Sequence, residues 1–279
     1  MNIVMSLWTK PCTNGKAHGF NNIEEMMESL VVSANLAKKH YDEIHFYTDK
    51  LGLEWIKPYM KYLPFTKIEV CLDDMNWLDD KYWSLAKMYV YKKQEQPFIH
   101  IDNDVFLWEK FPDGLFNNDF FFQEIEYFNQ LGRDFYIRGL NVYKDALPKN
   151  FIETNGAFNC GVFGCLTEKS LKLIPEYYEM GINFVENTKK LKDLDKEAIS
   201  SRWLATVIIE QVIIYSLVTN GDYKFEVFLH HGDNYAGFVN HYNFKYTHTV
   251  AHNKRKEKVV RRIREIFEVD IKNGKPINF

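Results

Sequence analysis

The sequence lacks several features that would assign it to a common class of protein. Its four cysteines form neither a C-x2-C pair nor a Cys/His zinc pattern, which argues against a zinc site and a disulfide framework. No apolar run approaches the roughly 18 residues that span a bilayer. The formal net charge of -3 gives no indication of nucleic-acid binding. No basic segment precedes the first apolar run, so we predict no signal peptide and a cytoplasmic protein.

What the sequence has is a large apolar fraction in a regular order. Of the 279 residues, 46% are hydrophobic and 16% are aromatic, which is enough for a large core. In the first hundred residues, short apolar runs alternate with segments of helical spacing. This order predicts an α/β protein with a mostly parallel, Rossmann-like central sheet and helices on both faces. The predicted strands are 3–7, 44–49, 68–71 and 98–101, and the predicted helices between them include 23–40 and 82–92.

The fourth of these strands ends in two carboxylates. Asp102 and Asp104 follow the apolar run at 98–101 with one residue, Asn103, between them. Burying two carboxylates at a strand end is unfavourable unless a cation compensates them. Mg²⁺ and Mn²⁺ prefer such oxygen ligands, and open α/β sheets bind ligands beyond the carboxyl ends of their strands. The motif therefore predicts a metal-bridged phosphate site, although a simple Asp-rich turn is the alternative.

Three further motifs follow in order. A strand at 158–164 contains Asn159 and small residues, and glycine inside a strand often marks close approach by a ligand. A helix at 202–217 carries Glu210 and Gln211 among apolar residues, where they could also form a structural hydrogen-bond pair. In the histidine-rich C-terminal third, His248 precedes Lys254 by six residues.

Together these motifs resemble the GT-A class of nucleotide-sugar glycosyltransferases. The pattern that fits best is the glycogenin and bacterial lipopolysaccharide galactosyltransferase type, with Asp-x-Asp, Phe-Asn-x-Gly, an acid-Gln pair and His-x-x-Gly-x-x-Lys. The order of motifs agrees over roughly residues 1 to 256. Two departures exist: Ala251 replaces the family glycine, and Lys254 is not followed by Pro-Trp.

The resemblance implies a Mn²⁺ or Mg²⁺ ion held by Asp102, Asp104 and His248, with His252 as the alternative histidine. The ion would bind the diphosphate of a nucleoside-diphosphate sugar, expected to be a UDP-sugar, and Lys254 would contact the same oxygens. Such a metal acts as a Lewis acid for the leaving diphosphate. These roles are expectations from the family.

The remaining site residues also come from the resemblance. Residues expected at the donor nucleotide are Thr9, Asp49, Lys87 and Asn103. Residues expected at the donor sugar or reaction centre are Asn159 and Gln211, with Glu210 as a candidate base. The family type retains anomeric configuration without an agreed nucleophile.

The expected organisation is one domain over 1–279. It comprises a nucleotide-binding half (1–106), an acceptor and donor-sugar half (107–253) with an irregular insertion or lid at about 127–152, and a basic helix and tail (254–279). The expected partners are the donor and a glycan or lipid-linked acceptor, in bacterial surface-polysaccharide synthesis. The basic helix has an apolar stripe that we expect to pack on the sheet, with contact to the inner membrane surface as the alternative.

Other classes remain open at this stage. A haloacid-dehalogenase-like phosphatase also has an apolar strand ending in Asp-x-Asp, but that motif opens its domain and needs a later paired-Asp motif. A nucleotidyltransferase would need a Gly-rich basic loop after the first strand, and none is present. A catalytically silent sugar- or nucleotide-binding protein is the third alternative.

Overall fold

The structure is a computed structural model that describes residues 1–12, 17–130, 132–191, 202–231, 238–240, 242–249 and 251–277, without the side chains of 202–203, 231, 238–240 and 251–252. The chain divides into two compact units. The first contains residues 1–77, 98–112 and 243–279, and the second contains residues 78–97 and 113–242. The C-terminal residues therefore belong to the same unit as the N-terminal ones. The sequence-based subdivision at 106 and 253 stays a prediction.

The described strands are numbered in chain order. They are β1 (Asn2–Leu7), β2 (Ile44–Thr48), β3 (Lys67–Val70), β4 (Phe98–Ile101), β5 (Val105–Leu107), β6 (Phe120–Tyr127), β7 (Gly156–Cys165), β8 (Phe225–His231), β9 (Phe238–Asn240) and β10 (Tyr246–His248). In the first unit, β3, β2, β1 and β4 form neighbouring, parallel pairs, and β5 pairs antiparallel with β10. In the second unit, β6 pairs antiparallel with β7 and parallel with β8, and β9 pairs antiparallel with β8.

The described α-helices are α1 (Ile23–Lys38), α2 (Lys50–Ile56), α3 (Trp83–Lys92), α4 (Asp134–Val142), α5 (Glu168–Leu171), α6 (Ile174–Thr188), α7 (Arg202–Val207), α8 (Ile213–Asn220) and α9 (Glu257–Glu265). The predicted α/β class with mostly parallel strand pairing is confirmed. None of the helices among the described residues is both long and apolar enough to cross a membrane.

Some sequence-based boundaries are wrong. The sequence predicts an irregular segment at 127–152, but this segment contains the amphipathic helix α4 (Asp134–Val142). The helix predicted over 202–217 is interrupted by a turn of π-helix at Ile208–Val212 between α7 and α8. A π-helical turn widens the helix locally and is frequent at functional sites. This turn carries two of the predicted site residues, Glu210 and Gln211.

Phenylalanine dominates the core of the second unit. Phe120, Phe121 and Phe122 are consecutive on β6 and all fully buried, because both faces of this strand are covered. The Phe122 ring stacks on Phe158 of β7 with a centroid separation of 3.8 Å and an interplanar angle of 4°. These rings fix the register of β6 against β7, which later determines which polar side chains meet.

The basic C-terminal helix packs through its apolar stripe. Ile263 of α9, together with Ile266 and Phe267 of the π-helical turn Ile266–Ile271, joins a core cluster that includes Val31 and Leu36 of α1. The apolar stripe is therefore buried against α1 more than against a face of the sheet. An ion pair between Arg264 Nε and Glu28 Oε1 at 3.1 Å adds to this packing.

Position 164 of β7 requires glycine because the Phe121 ring of β6 leaves no room for a Cβ. A Cβ at this position would lie 2.4 Å from two ring carbons of Phe121, which faces it across the β6–β7 pair. We expect Gly164→Ala to reduce the free energy of unfolding by about 1–3 kcal/mol because the ring must shift in a packed core. Urea denaturation measures this loss.

Gly139 provides the matched control. It lies inside α4, and a Cβ there would meet only ordinary contacts, the nearest being Ile208 Cδ1 at 3.4 Å. Gly139→Ala should stabilise the protein by about 0.5–1 kcal/mol, since alanine loses less backbone entropy in a helix. Equal effects of the two substitutions would contradict the packing argument.

Candidate functional site

The carboxyl ends of three parallel strands of the first unit carry predicted site residues. Thr9 lies just after β1, Asp49 follows β2, and Asp102 follows β4. The buried Asp49 carboxylate accepts hydrogen bonds from Thr9 N at 2.8 Å, from Thr9 Oγ1 at 2.7 Å and from Gly52 N at 2.7 Å. Asp49 thus caps α2 and fixes the loop after β1. The nucleotide contacts expected of Thr9 and Asp49 stay a prediction.

Three potential metal ligands lie close together beside the carboxyl ends of these strands. Asp102, Asp104 and His248 each offer one ligand atom, and these atoms all lie within 4.8 Å of one another. Asp102 and Asp104 flank the turn between β4 and β5, closed by a hydrogen bond from Val105 N to the Asp102 carbonyl at 3.0 Å. His248 ends β10, whose antiparallel register sets it opposite Val105 of β5. Strand pairing therefore brings the distant histidine to the two carboxylates.

Asp104 is the most buried member, with an exposed fraction of 3%. Lys254 Nζ lies 3.1 Å and His248 Nε2 lies 3.5 Å from Asp104 Oδ2. Burial acts to raise the pKa of Asp104, but the Lys254 ammonium and the His248 imidazole outweigh it, and the pKa lies well below its ordinary value. The carboxylate is therefore ionised at neutral pH, which is the form that binds a metal ion.

A backbone contact and a side-chain contact hold Thr249 on Asp104. Thr249 N donates to the Asp104 carbonyl at 3.1 Å, and Thr249 Oγ1 lies 3.5 Å from Asp104 Oδ2. Lys254 Nζ also donates to the carbonyl of His18 at 3.1 Å, and Arg255 Nε donates to the carbonyl of Gly19 at 2.9 Å. These contacts fix the segment after β10 on the acidic turn.

Asn103 leaves one polar atom without a partner. Its Nδ2 donates to the Ser6 carbonyl at 3.0 Å, whereas its buried Oδ1 accepts no hydrogen bond from the residues that the structure describes. A buried acceptor without a donor is destabilising. A ligand hydroxyl at this position would satisfy it, so the predicted ligand contact of Asn103 fits its surroundings.

The donor set fits a hard divalent cation. Two carboxylates and one imidazole suit Mn²⁺ or Mg²⁺ with further oxygen ligands from a substrate phosphate. The alternative ligand His252 cannot be compared, because its side chain lies outside the described residues.

The second unit contains the other predicted residues. Lys87 of α3 and Glu210 of the π-helical turn form a buried ion pair, with 2.6 Å between Nζ and Oε1 and side-chain exposures of 6% and 4%. Lys87 Nζ also donates to the Cys160 carbonyl at 2.8 Å. The negative charge of Glu210 is compensated by the Lys87 ammonium, and not by the hydrogen bond with Gln211 considered above. Roles for Lys87 and Glu210 in donor binding or catalysis stay predictions.

A second carboxylate pair, which the sequence analysis missed, lies on β6. A β-bulge between Phe122 and Glu124 shifts the register, so that Glu124 stands opposite Asn159 of β7. Asn159 Nδ2 donates to Glu126 Oε1 at 2.9 Å and lies 3.5 Å from Glu124 Oε1. Bulges often re-aim side chains next to functional sites. Here the bulge gathers Glu124, Glu126 and the predicted residue Asn159.

Arg133 and Tyr136 complete this cluster. Arg133 Nη1 lies 2.9 Å from Glu126 Oε2, and Tyr136 OH donates to the same oxygen at 2.7 Å. Tyr136 OH also contacts Gln211 Oε1, which links the predicted residue Gln211 to the cluster. The signal for Glu124 and Glu126 was present in the sequence: two acids at i and i+2 near the end of an apolar strand, the spacing already seen at Asp102 and Asp104.

Arg133 lies beside the two carboxylates on β6, and its single positive charge does not compensate both of them. Burial and the neighbouring Glu126 raise the pKa of Glu124 to about 8, although Arg133 partly opposes the shift. Arg133 Nη2 is 3.6 Å from Glu124 Oε1, farther than its contact to Glu126. Glu124 is therefore protonated at neutral pH and can donate a hydrogen bond.

The fold and the first-unit site define an α/β protein with a candidate divalent-metal centre at the carboxyl ends of parallel strands. Residues 1–273 match the family described as a family of unknown function, DUF6734, and the chain belongs to this family. No curated protein matches the sequence.

Several solved structures are similar to the chain, all at low identity. An active-site mutant of LgtC, a galactosyltransferase, is 15% identical with a TM-score of 0.42, over 73% of this chain and 70% of that chain. Mouse xyloside xylosyltransferase 1 is 12% identical with a TM-score of 0.44, over 81% and 84%. The glycosyltransferase GlyE of Streptococcus pneumoniae TIGR4 is 14% identical with a TM-score of 0.34, over 71% of this chain and 42% of that chain. These similarities are too distant to carry an inference about activity.

The buried Lys87–Glu210 pair makes a stability prediction. Lys87→Met should lower the free energy of unfolding by about 3–5 kcal/mol, because it leaves the Glu210 carboxylate buried without its cation. The double variant Lys87→Met, Glu210→Leu should recover most of this loss. Urea denaturation of both variants measures the difference.

Lys92→Met is the matched control on the same helix. Its partner Glu179 is exposed, with 3.3 Å between the charged atoms, and exposed pairs contribute only about 0–1 kcal/mol. A loss at Lys87 no larger than the loss at Lys92 would contradict a structural role for the buried pair.

The raised pKa of Glu124 predicts how the stability of the protein depends on pH. Since the folded-state pKa of about 8 exceeds the ordinary value of 4.5, the folded protein binds this proton more tightly than the unfolded chain. The resulting stabilisation is complete below pH 4.5 and is lost as the pH rises toward 8. Relative to the wild type, Glu124→Gln should therefore become more stable between about pH 5 and about pH 9, measured by urea denaturation.

The exposed Glu153 is the control for the same charge change. Glu153→Gln should follow the wild-type pH dependence. A wild type and a Glu124→Gln variant with parallel pH profiles would show that Glu124 ionises normally.

Proposed function

We propose that this protein is a metal-dependent glycosyltransferase that transfers a sugar from a nucleoside-diphosphate sugar, in particular a UDP-sugar, to a glycan or lipid-linked acceptor. The observation that supports it is the group of Asp102, Asp104 and His248, with ligand atoms within 4.8 Å of one another, beside Lys254. Two carboxylates and an imidazole, with the carboxylates following the parallel strand β4, are the ligands expected for a metal-bound diphosphate.

The residues of this group would perform distinct tasks. A divalent ion held by Asp102, Asp104 and His248 would neutralise charge that develops on the leaving diphosphate. Asp104 is preorganised for this task because its low pKa keeps it ionised. Lys254, which now compensates Asp104 at 3.1 Å, has the charge and the length to contact phosphate oxygens. Asn103 Oδ1 would accept a hydrogen bond from a donor hydroxyl.

The assignments in the second unit rest on the resemblance. Asn159 and Gln211 would contact the donor sugar, and both lie in the cluster with Glu126. Glu210 is a weaker candidate for the base than the sequence suggested, because the Lys87 ammonium at 2.6 Å occupies its carboxylate. Bacterial surface-polysaccharide synthesis, a cytoplasmic location and contact with the inner membrane surface belong to the same proposal.

The alternatives predict different sites. A phosphatase of the haloacid-dehalogenase type needs a second paired-Asp motif, whereas the third group here is the His248 imidazole. A catalytically silent binding protein would keep the donor site without turnover, so UDP-sugar hydrolysis distinguishes it from an enzyme.

Calorimetric titration of UDP with and without Mn²⁺ tests the proposal. The wild type should bind UDP in a Mn²⁺-dependent manner. Asp104→Asn should weaken this binding by more than the about 10–100-fold that loss of a second-shell partner causes, because a charged ligand is removed. His248→Asn, a substitution that keeps the Asp104–Lys254 pair, should weaken it as well.

Asp42→Asn is the control, since Asp42 is an exposed acid of the same unit. It should bind UDP and Mn²⁺ as the wild type does. If no nucleoside diphosphate binds with or without Mn²⁺, the transferase proposal is wrong and phosphatase substrates become the next screen.

A further inference from the structure

An apolar cavity lies along one face of the basic C-terminal helix. Its volume is about 380 Å³, within the range of about 300–1,000 Å³ found for small-molecule sites. Five of its lining side chains are apolar: Phe106, Trp108, Val259, Ile263 and Ile266. Walls of this composition suit a hydrocarbon chain better than a nucleotide or a free sugar.

Two cations line the same cavity. Lys258 and Arg262 are four residues apart on α9 and therefore lie on one side of the helix, next to the apolar stripe of Val259 and Ile263. Both side chains are exposed, and Arg262 also pairs with the exposed carboxylate of Glu265 at 3.1 Å. A ligand of this cavity therefore meets apolar walls and positive charge together.

The surrounding sequence strengthens the positive charge. Residues 254–265 contain seven lysines and arginines and two glutamates. Among these, Lys254 contacts Asp104, Arg255 donates to the Gly19 carbonyl, and Arg264 pairs with Glu28. Lys258 and Arg262 both line the cavity, so an anion bound there lies beside two cationic side chains.

The cavity also borders the candidate metal centre. Thr249 lines it, and Thr249 Oγ1 lies 3.5 Å from Asp104 Oδ2. Trp108 Nε1, on another wall, donates to Thr247 Oγ1 at 3.0 Å, which fixes the indole ring against β10. A molecule in the cavity thus contacts a residue that directly touches a metal ligand.

We propose that this cavity binds a lipid phosphate, with its hydrocarbon chain between the apolar walls and its phosphate on Lys258 and Arg262. We expect a free phosphate to bind less tightly because it does not cover the apolar walls, and a neutral chain to bind less tightly because it gains nothing from the two cations. Binding of the lipid does not depend on the donor site. Its identification as the anchor of a lipid-linked acceptor rests on the proposed function.

Calorimetric titration with dodecyl phosphate below its micelle concentration, without UDP or Mn²⁺, tests this binding. Dodecyl maltoside and inorganic phosphate serve as chain-only and headgroup-only probes. The wild type should bind dodecyl phosphate at least about tenfold more tightly than either probe, and Arg262→Glu should remove about tenfold of that affinity.

Arg261→Glu is the matched control, because it makes the same charge change on the same helix at an exposed residue that does not line the cavity. It should change the affinity less than about twofold, within the effect of screened surface charge. Equal losses in the two variants, or equal binding of dodecyl maltoside, would overturn the proposal. If no nucleoside diphosphate binds, the proposed function and the role of the lipid as an acceptor anchor are wrong, whereas binding of the lipid phosphate is unaffected.

Discussion

The first unit depends on how one buried carboxylate is compensated. Asp104 is only 3% exposed, and burying its charge alone would be strongly destabilising. The chain compensates it with Lys254 and His248, and Thr249 donates a backbone hydrogen bond beside them. All three residues come from the C-terminal segment. The same interaction that stabilises the charge therefore also holds that segment against β5 and forms the candidate metal centre.

The position of α9 follows from this anchor. At one end, Lys254 and Arg255 bind the carbonyls of His18 and Gly19 as well as Asp104. Farther along, Arg264 pairs with the buried Glu28, and the apolar stripe packs on α1. With both ends held, the helix keeps the backbone of Lys258 and Arg262 beside the cavity that they line.

Sequence patterns predicted features that depend on neighbours in the chain. The alternation of apolar runs predicted β1 to β4, and the motif ending β4 predicted that Asp102 and Asp104 would share a site. The choice of His248 came from the family resemblance, since spacing alone left His252 equally open. The i, i+2 spacing of Glu124 and Glu126 was visible in the sequence, but their contacts with Asn159 and Arg133 depend on a β-bulge and on tertiary packing, which have no strong signal in a single sequence. The Lys87–Glu210 pair depends on tertiary packing of two distant helical segments.

The two carboxylate pairs show that spacing alone does not define chemistry. Asp102 and Asp104, like Glu124 and Glu126, are acids at i and i+2 at the end of an apolar strand. At Asp104, a lysine and a histidine lie beside the buried carboxylate, and its pKa falls. On β6, Arg133 lies nearer Glu126, and a proton compensates Glu124, whose pKa rises to about 8. One pair is therefore suited to bind a cation and the other to donate and accept hydrogen bonds, and the distant cations decide which.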